Sequence, residues 1–389
     1  MLDFVNRLQH FSGMMKYLTI LCRWEATLKD CRILLMLILT LIAATITSAQ
    51  EDQPVYIVEQ VVLANYPVAL EFAPDGRIFY TEKSTGNVRV ISAAGRTQPE
   101  PVINLPVDNL VERGLLGIAL DPSYEENRFI WVVHTQPGNN RDYPANQIVR
   151  FTERDGVGSD PQVMLSIPIT TGELIHNGGN LRFDSNGYLY YSIGDNGEAA
   201  NAQNLDTLPG KIHRFQVTDA GLVSAPDNPF PESSIYAYGF RNPFAFTFDP
   251  VNEALLVADN GYQCDDEINL ILPGMNYGWG EDYGEQCFGY DPVPVPDYVP
   301  PLLSFNPTIG MTGIEVYSGP IRAWQGNVFY CDWVNGQLGR AAPNANRTGF
   351  EQLDPVDLQG QFCRIALRMG LDGALYFTDP GGIYRLVAG

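Results

Sequence analysis

The sequence predicts an all-β fold, a single six-bladed β-propeller, and three observations carry that reading. Beyond Pro54 there is no long helical pattern and no low-complexity linker, while Gly, Pro, Asn and Asp punctuate short runs rich in Val, Ile, Tyr and Phe. One unit recurs: an apolar strand, a turn containing Asp or Asn, then a second strand ending in a small or acidic residue. It is clearest at residues 70–82, LEFAPDGRIFYTE. It returns as IALDPSYEENRFIWVVHT from Ile118, LRFDSNGYLYYSIGD from Leu181, FTFDPVNEALLVADN from Phe246 and MGLDGALYFTDP from Met369, with a weaker copy, GNVFYCD, at Gly326. Six copies over about 335 residues give about 56 residues each, the length of a four-stranded blade with its loops. Two β-sandwiches in tandem are the alternative, but no linker separates two halves.

The chain opens with a mixed segment holding Arg7, Lys16, Arg23, Lys29 and Arg32, followed by an apolar run at residues 33–44. That run falls short of the roughly 20 apolar residues a spanning helix needs. It fits the core of a secretory signal, with Thr47-Ser48-Ala49 as a small-residue cleavage site, so residues 1–50 are expected to leave as a signal peptide. The basic region is long for a signal; a start at Met14 or Met15, or retention as an uncleaved anchor, are the other readings. Residues 51–389 then form the propeller.

Removing five basic and three acidic residues from totals of 24 and 45 leaves 19 against 42, a net charge of −23. Such a charge repels nucleic acid and anionic lipid, and suits a soluble extracellular or periplasmic protein with no stable membrane insertion after the signal is removed. Cys22 and Cys31 leave with the signal. Cys264, Cys287, Cys331 and Cys363 remain, and four cysteines allow three pairings. Cys264 with Cys287 and Cys331 with Cys363 are the expected ones, because the first pair brackets one loop and the second lies on successive strand units. No CxxC occurs, which disfavours a thiolate zinc site.

The stretch LIHNGGNLRFDSNGYLYYSIGDNG, residues 174–197, holds His176, one of only four histidines. Asn177, Gly178 and Gly179 follow it, a backbone that a ligand can approach closely. Residues 181–183 and 188–193 read as paired strands around the turn Asp184-Ser185-Asn186-Gly187, and a hairpin returns its end to its start. Asp195 is therefore expected beside His176, accepting a hydrogen bond from the ring and leaving the other nitrogen a better base. In a propeller, the loops at one end of the inner strands converge on the central channel, so His176 and equivalent loop positions should line one pocket. Three further loops stand beside repeat strands: Glu112-Arg113-Gly114-Leu115-Leu116-Gly117, Tyr238-Gly239-Phe240-Arg241-Asn242-Pro243, and the acidic loop from Asp259 to Asn269, which runs on to Asn276-Tyr277-Gly278-Trp279. An acidic loop with exposed carbonyls can hold calcium.

In these motifs the chain resembles the glucose/sorbosone dehydrogenase family, the soluble sugar dehydrogenases that use pyrroloquinoline quinone, over essentially all of residues 55–388. HNGG followed by SIGD, GKIHRF, DNPF, YGFRNPF and DDEINLILPGMNYGW come in the family's order and at compatible spacing. ERGLLG, and TGIEVYSGP leading to VFYCDWVNGQLGR, are closer to bacterial members and to the hedgehog-interacting-protein branch. The resemblance implies that His176, oriented by Asp195, takes the proton of a sugar hydroxyl while hydride passes to the quinone and on to an electron acceptor. It places Arg241, Asn242, Thr308 and Glu112 against the quinone. It assigns calcium to the backbone carbonyls of Gly261 and Tyr262.

The chain departs from the family at four positions. Glu112 stands where the enzymes have glutamine, Val334 or Asn335 where many have lysine, and Cys363 and Ile365 where two arginines fall. The cofactor carries three carboxylates, so these changes predict weaker quinone binding, at roughly 1.5 to 3 kcal/mol per charge-assisted bond lost. Arg364 and Arg368 are near, but an offset of one residue in a strand points a side chain to the other face. A binding propeller without chemistry and a calcium-dependent lactone hydrolase are the competing functions on the same architecture.

Overall fold

The computed structural model describes residues 55–218, 221–280 and 295–389. Six antiparallel sheets are arranged as the blades of a propeller. The chain enters the ring with β1 (Tyr56–Leu63), a strand that belongs to the last blade rather than the first. Blade one holds β2 (Pro67–Phe72), β3 (Ile78–Glu82), β4 (Asn87–Ile91) and β5 (Ile103–Asn104). Blade two holds β6 (Leu115–Leu120), β7 (Phe129–Gln136), β8 (Ala145–Arg154) and β9 (Val157–Pro168). Blade three holds β10 (Leu181–Phe183), β11 (Tyr188–Ile193), β12 (Lys211–Thr218) and β13 (Gly221–Ser224), with β14 (Ile235–Tyr238) also paired to β12. Blade four holds β15 (Pro243–Phe248), β16 (Leu255–Asp259), β17 (Asp266–Ile271) and β18 (Leu303–Phe305). Blade five holds β19 (Met311–Val316), β20 (Val328–Asp332), β21 (Leu338–Pro343) and β22 (Phe350–Val356). Blade six holds β23 (Leu367–Met369), β24 (Leu375–Asp379) and β25 (Gly382–Ala388), and its fourth strand is β1, antiparallel to β25 from Tyr56 opposite Ala388 to Leu63 opposite Gly382.

The recurring sequence unit is the hairpin of the first two strands of each blade. In blade three the turn is held by Asp184, whose carboxylate accepts from the Asn186 and Tyr188 amides at 3.0 and 2.8 Å, and Gly187 takes a positive φ of 83°. Burial is greatest at the second strand: β3, β16 and β20 are buried at every position, whereas the outer strands β9 and β22 are largely exposed. A sheet covered on both faces needs continuous apolar runs, which is why these second strands lack the usual alternation.

Among the described residues the apolar core is divided into six clusters, each lying between two neighbouring blades. Between blades one and two, for example, Phe79 and Val88 meet Leu115, Ile130 and Phe151. Between six and one, Ala374, Tyr376 and Ile383 meet Leu70, Tyr80 and Ile91. The central channel is lined by the innermost strands, and charge bridges it: Arg182 meets Glu315 at 3.1 Å and Arg368 meets Glu71 at 2.7 Å. No helix among the described residues is long and apolar enough to cross a membrane.

Cys331 and Cys363 form the expected disulfide, Cα to Cα 5.0 Å, tying the end of β20 to the segment before β23. The other expected pair, Cys264 with Cys287, has one member outside the described residues. Mass spectrometry of the unreduced protein should join the peptides of Cys331 and Cys363. Closing a loop of 32 residues contributes about 4 kcal/mol at most, so Cys331→Ser with Cys363→Ser should lower the melting temperature, and an unchanged melt would show that the link adds nothing to stability.

Candidate active site

At the end of the ring where innermost strands begin and second strands finish, a cavity of about 530 Å³ opens. Its wall includes Glu112, His176, Arg241, Asn242, Gly261, Tyr262 and Thr308, which the fold brings together from loops separated by up to about 200 residues in sequence. Val68, Leu116, Phe244 and Thr312, from four innermost strands, line both this cavity and the channel below it, and so form its floor.

Asp195 lies behind His176. The His176 Nδ1 to Asp195 Oδ1 distance is 2.6 Å, with both side chains buried. The carboxylate is fixed on both oxygens, since the Gly197 amide donates to Oδ1 at 2.7 Å and Trp279 Nε1 donates to Oδ2 at 2.7 Å. An acceptor-only carboxylate at Nδ1 selects the tautomer with its proton there, so Nε2 is the basic nitrogen. Gly194 explains how the loops pass so closely: a Cβ there would lie 2.4 Å from the His176 carbonyl oxygen and 2.8 Å from that of Arg241.

His176 has a left-handed backbone, φ 58°, unusual for a residue with a side chain. Glu112 holds it there. The His176 amide donates to Glu112 Oε2 at 2.7 Å, and Asn242 Nδ2 donates to the same oxygen at 3.2 Å. Asn242 in turn accepts from the Gly178 amide at 3.2 Å. Glu112 lies in the cavity wall as expected of a residue facing the ligand, and one of its oxygens also braces the histidine loop.

Two more carboxylates serve the backbone in the same way. Asp259 accepts from the Arg241 and Asn242 amides at 3.1 and 2.7 Å, and burial pushes its carboxyl up to about 7 against those bonds. Asp266 accepts from the Gly261, Ile309 and Gly310 amides at 2.9, 2.7 and 2.6 Å, which joins the loop of Gly261 to that of Thr308, and burial raises its carboxyl too. Arg241 is half-buried, its guanidinium 5.6 Å from the ring centre of Tyr262 and 5.4 Å from that of Trp279. Its Nη1 donates to the carbonyls of Asn260 and Gly261 at 3.0 and 2.7 Å, while its buried Nε has no partner among the described residues. Asn260 Oδ1 is likewise buried without one.

These features test the two expected cofactors. A planar polyanion fits, because the wall carries the Arg241 guanidinium near the rings of Tyr262 and Trp279. Calcium fits in part. Each carbonyl oxygen has two lone pairs, so Gly261 can serve Arg241 and a cation together, but two carbonyls are a minority of the about six to eight oxygens calcium takes. Among the described residues no group of three or more His, Cys, Asp or Glu could complete a metal site.

The structure also decides the open positions. Val334, not Asn335, lines the cavity; Asn335 bonds back to Asp332 through its amide and side chain. Ile365 lines it, while Arg364 donates to the Trp333 carbonyl and Cys363 is buried in its disulfide. Arg368 belongs to the channel. Two lysines were not anticipated. Lys83, just past β3, lines the cavity. Lys211, fully buried in β12, donates to the Asn201 and Pro209 carbonyls at 2.6 and 2.8 Å, and burial pulls its ammonium down to about 7. A lone lysine after a strand carries no motif, so only the ring geometry reveals the first.

The family profile described as Glucose / Sorbosone dehydrogenase matches residues 64–385. The aldose sugar dehydrogenase YliI of Escherichia coli K12 is 34% identical over 226 residues, 55% of this chain and 59% of that protein. Quinoprotein glucose dehydrogenase B of Acinetobacter calcoaceticus is 29% identical over 57% of this chain and 52% of its own length. The match thus spans little more than half of each of these two relatives. Among solved structures, a putative oxidoreductase (glucose dehydrogenase) from Thermus thermophilus superposes with a TM-score of 0.72 at 27% identity, over 85% of this chain and all of that one.

The bracing role of Glu112 has a stability consequence. Glu112→Gln keeps an oxygen for the His176 and Asn242 donors and should melt close to the parent protein. Glu112→Ala leaves those donors without their acceptor and should cost about 1 to 3 kcal/mol, read by denaturant unfolding; equal stability of the two variants would show that the contact does not hold the loop.

Proposed function

The chain belongs to the glucose/sorbosone dehydrogenase family, and on that premise we propose that it is a quinone-dependent dehydrogenase oxidising a hydroxyl of a sugar or related alcohol. The observation that carries this reading is His176, backed by the buried Asp195, in the wall of a cavity that Arg241 also lines. Arg241, Asn242 and Thr308 would hold pyrroloquinoline quinone, which supplies the acceptor for the hydride lost by the substrate carbon. The Gly261 and Tyr262 carbonyls would hold calcium, which supplies positive charge beside that acceptor.

The chain's own part is to move a proton. His176 Nε2 takes the hydroxyl proton as the carbon is oxidised to a carbonyl, and the ring becomes an imidazolium. Asp195 does not receive the proton; its charge stabilises the imidazolium across 2.6 Å, and its bonds to Gly197 and Trp279 keep it from turning away. Glu112 and Asn242 hold the loop that aims the base.

We place the protein outside the cytosol, in the periplasm or extracellular space, with residues 1–50 removed as a signal and residues 51–389 as the working propeller. The Cys331–Cys363 disulfide supports that placement, since such bonds persist in oxidising compartments.

Purified protein supplied with pyrroloquinoline quinone, calcium and a dye acceptor should reduce the dye with at least one member of an aldose panel; no turnover across the panel removes the reading. His176→Gln should then lose turnover by a factor on the order of 10² or more, and Asp195→Asn should lose less. Near-parental turnover in the glutamine variant would take the base assignment away. Because Gly261 and Tyr262 would supply only two of calcium's oxygens, calorimetry should find calcium uptake markedly stronger with the quinone than without it. Equal uptake in both conditions would point to a complete protein site elsewhere.

A further inference from the structure

Lys83 is the cation in this cavity that the proposed reaction does not use. It is 8% exposed, and its ammonium lies 5.5 Å from the ring centre of Tyr66, another cavity residue. It has one hydrogen bond, to the Asn109 carbonyl, at a long 3.4 Å. An ammonium has three donors, and burying one with so little bonding is costly unless something else enters its environment. Burial lowers the lysine's proton affinity, and the nearby charges of Glu112 and Asp108 work against that, so Glu112 lies within electrostatic range of Lys83 as well as of Arg241. Elsewhere the wall is apolar at Val111, Val334 and Ile365.

We propose that Lys83 is a ligand-binding residue of this pocket, donating to a carboxylate of its planar, polycarboxylate cofactor, and that Glu112 moderates its strength. The inference rests on the dehydrogenase reading for the identity of the cofactor but not for the chemistry of the contact. Lys83 and Arg241 are the Lys and Arg side chains lining the cavity among the described residues, and they come from different blades, Lys83 after β3 and Arg241 before β15. A ligand with carboxylates at separated edges of one plane can meet both, whereas a neutral sugar has no use for the pair. The pocket that lacks cations at Val334 and Ile365 thus carries one from another direction. Glutamate at 112 and lysine at 83 line one wall with opposite charge, so the glutamate competes with a ligand carboxylate for the ammonium.

The test uses two probes, pyrroloquinoline quinone and the redox-inert pyridine-2,4,6-tricarboxylate, titrated by calorimetry with no sugar present. Lys83→Gln keeps a donor near the Asn109 carbonyl and should weaken both probes on the order of tenfold, with Lys83→Arg restoring most of the loss. Glu112→Gln should tighten both probes, and by less when Lys83→Gln is already present, a coupling that a merely structural lysine would not produce. If both probes bind and Lys83→Gln costs neither, the proposal fails while the dehydrogenase reading stands. If the tricarboxylate binds through Lys83 and the quinone does not bind, the lysine assignment stands and the quinone reading falls. If neither probe binds the parent protein, both fall. Should Lys83→Gln not fold, as judged by its melt, unchanged affinity in Glu112→Gln is the result that overturns the proposal.

Discussion

Each sheet of the ring is apolar on both faces, and only its neighbours can cover them. The six core clusters lie between blades rather than within any one of them, so no blade has a core of its own. At about 25 cal/mol per Å² of apolar surface, a missing neighbour would uncover one whole face of two blades. Closure is therefore required, and the pairing of β1 with β25 supplies it by building the last blade from both extremes of the propeller. Everything at the site depends on that constraint. Glu112, His176, Arg241, Thr308 and Ile365 each precede an innermost strand, while Lys83, Gly261 and Val334 each follow a second strand, so a closed ring delivers them to one end whatever their distance in sequence.

Within the cup, carboxylates act mainly on the backbone. Asp259, Asp266 and Glu112 accept amide protons from Arg241, Asn242, Gly261, Ile309, Gly310 and His176. Loops that carry functional side chains cannot be packed as tightly as strands, and these charged acceptors replace packing with directed bonds between neighbouring loops. The arrangement lets a strongly acidic protein line a pocket with acids and still hold a guanidinium and an ammonium in its wall. Asp195 does more, since besides the Gly197 amide it takes an imidazole ring and an indole.

The repeat of apolar strand, Asp-containing turn and second strand made the six blades legible, because the second strands must be continuously apolar and the turns must reverse tightly. The hairpin at residues 181–193 likewise foretold the meeting of His176 with Asp195. What the sequence hid was anything that depended on which blades flank which loop. Glu112 reads as an acid in the wall, and its second task, accepting from the His176 amide, carries no sequence signal. Lys83 sits in the run TEKSTG with no periodicity or motif to mark it, and only ring closure brings it to the wall. The choice between Val334 and Asn335 turned on a single side chain folding back to Asp332, which no pattern of residue types encodes. Arg364 and Ile365 precede β23 rather than lying in a strand, so the path of that loop and not strand alternation separates them, Arg364 turning to the Trp333 carbonyl while Ile365 lines the cavity.

The pairing of β1 with β25 also sets an order of events in time. A ribosome delivers β1 first and β25 last, so an edge with unpaired amides and carbonyls waits through the synthesis of more than 300 residues before its partner exists. Contacts such as that of Tyr56 Oη with the Asp357 carbonyl, 301 residues away, likewise wait for a late part of the chain. Slow maturation is the expected result of so non-local a final step. Until it is taken, Lys83 and Ile365 belong to opposite ends of an open arc, and the molecule has blades without a binding site.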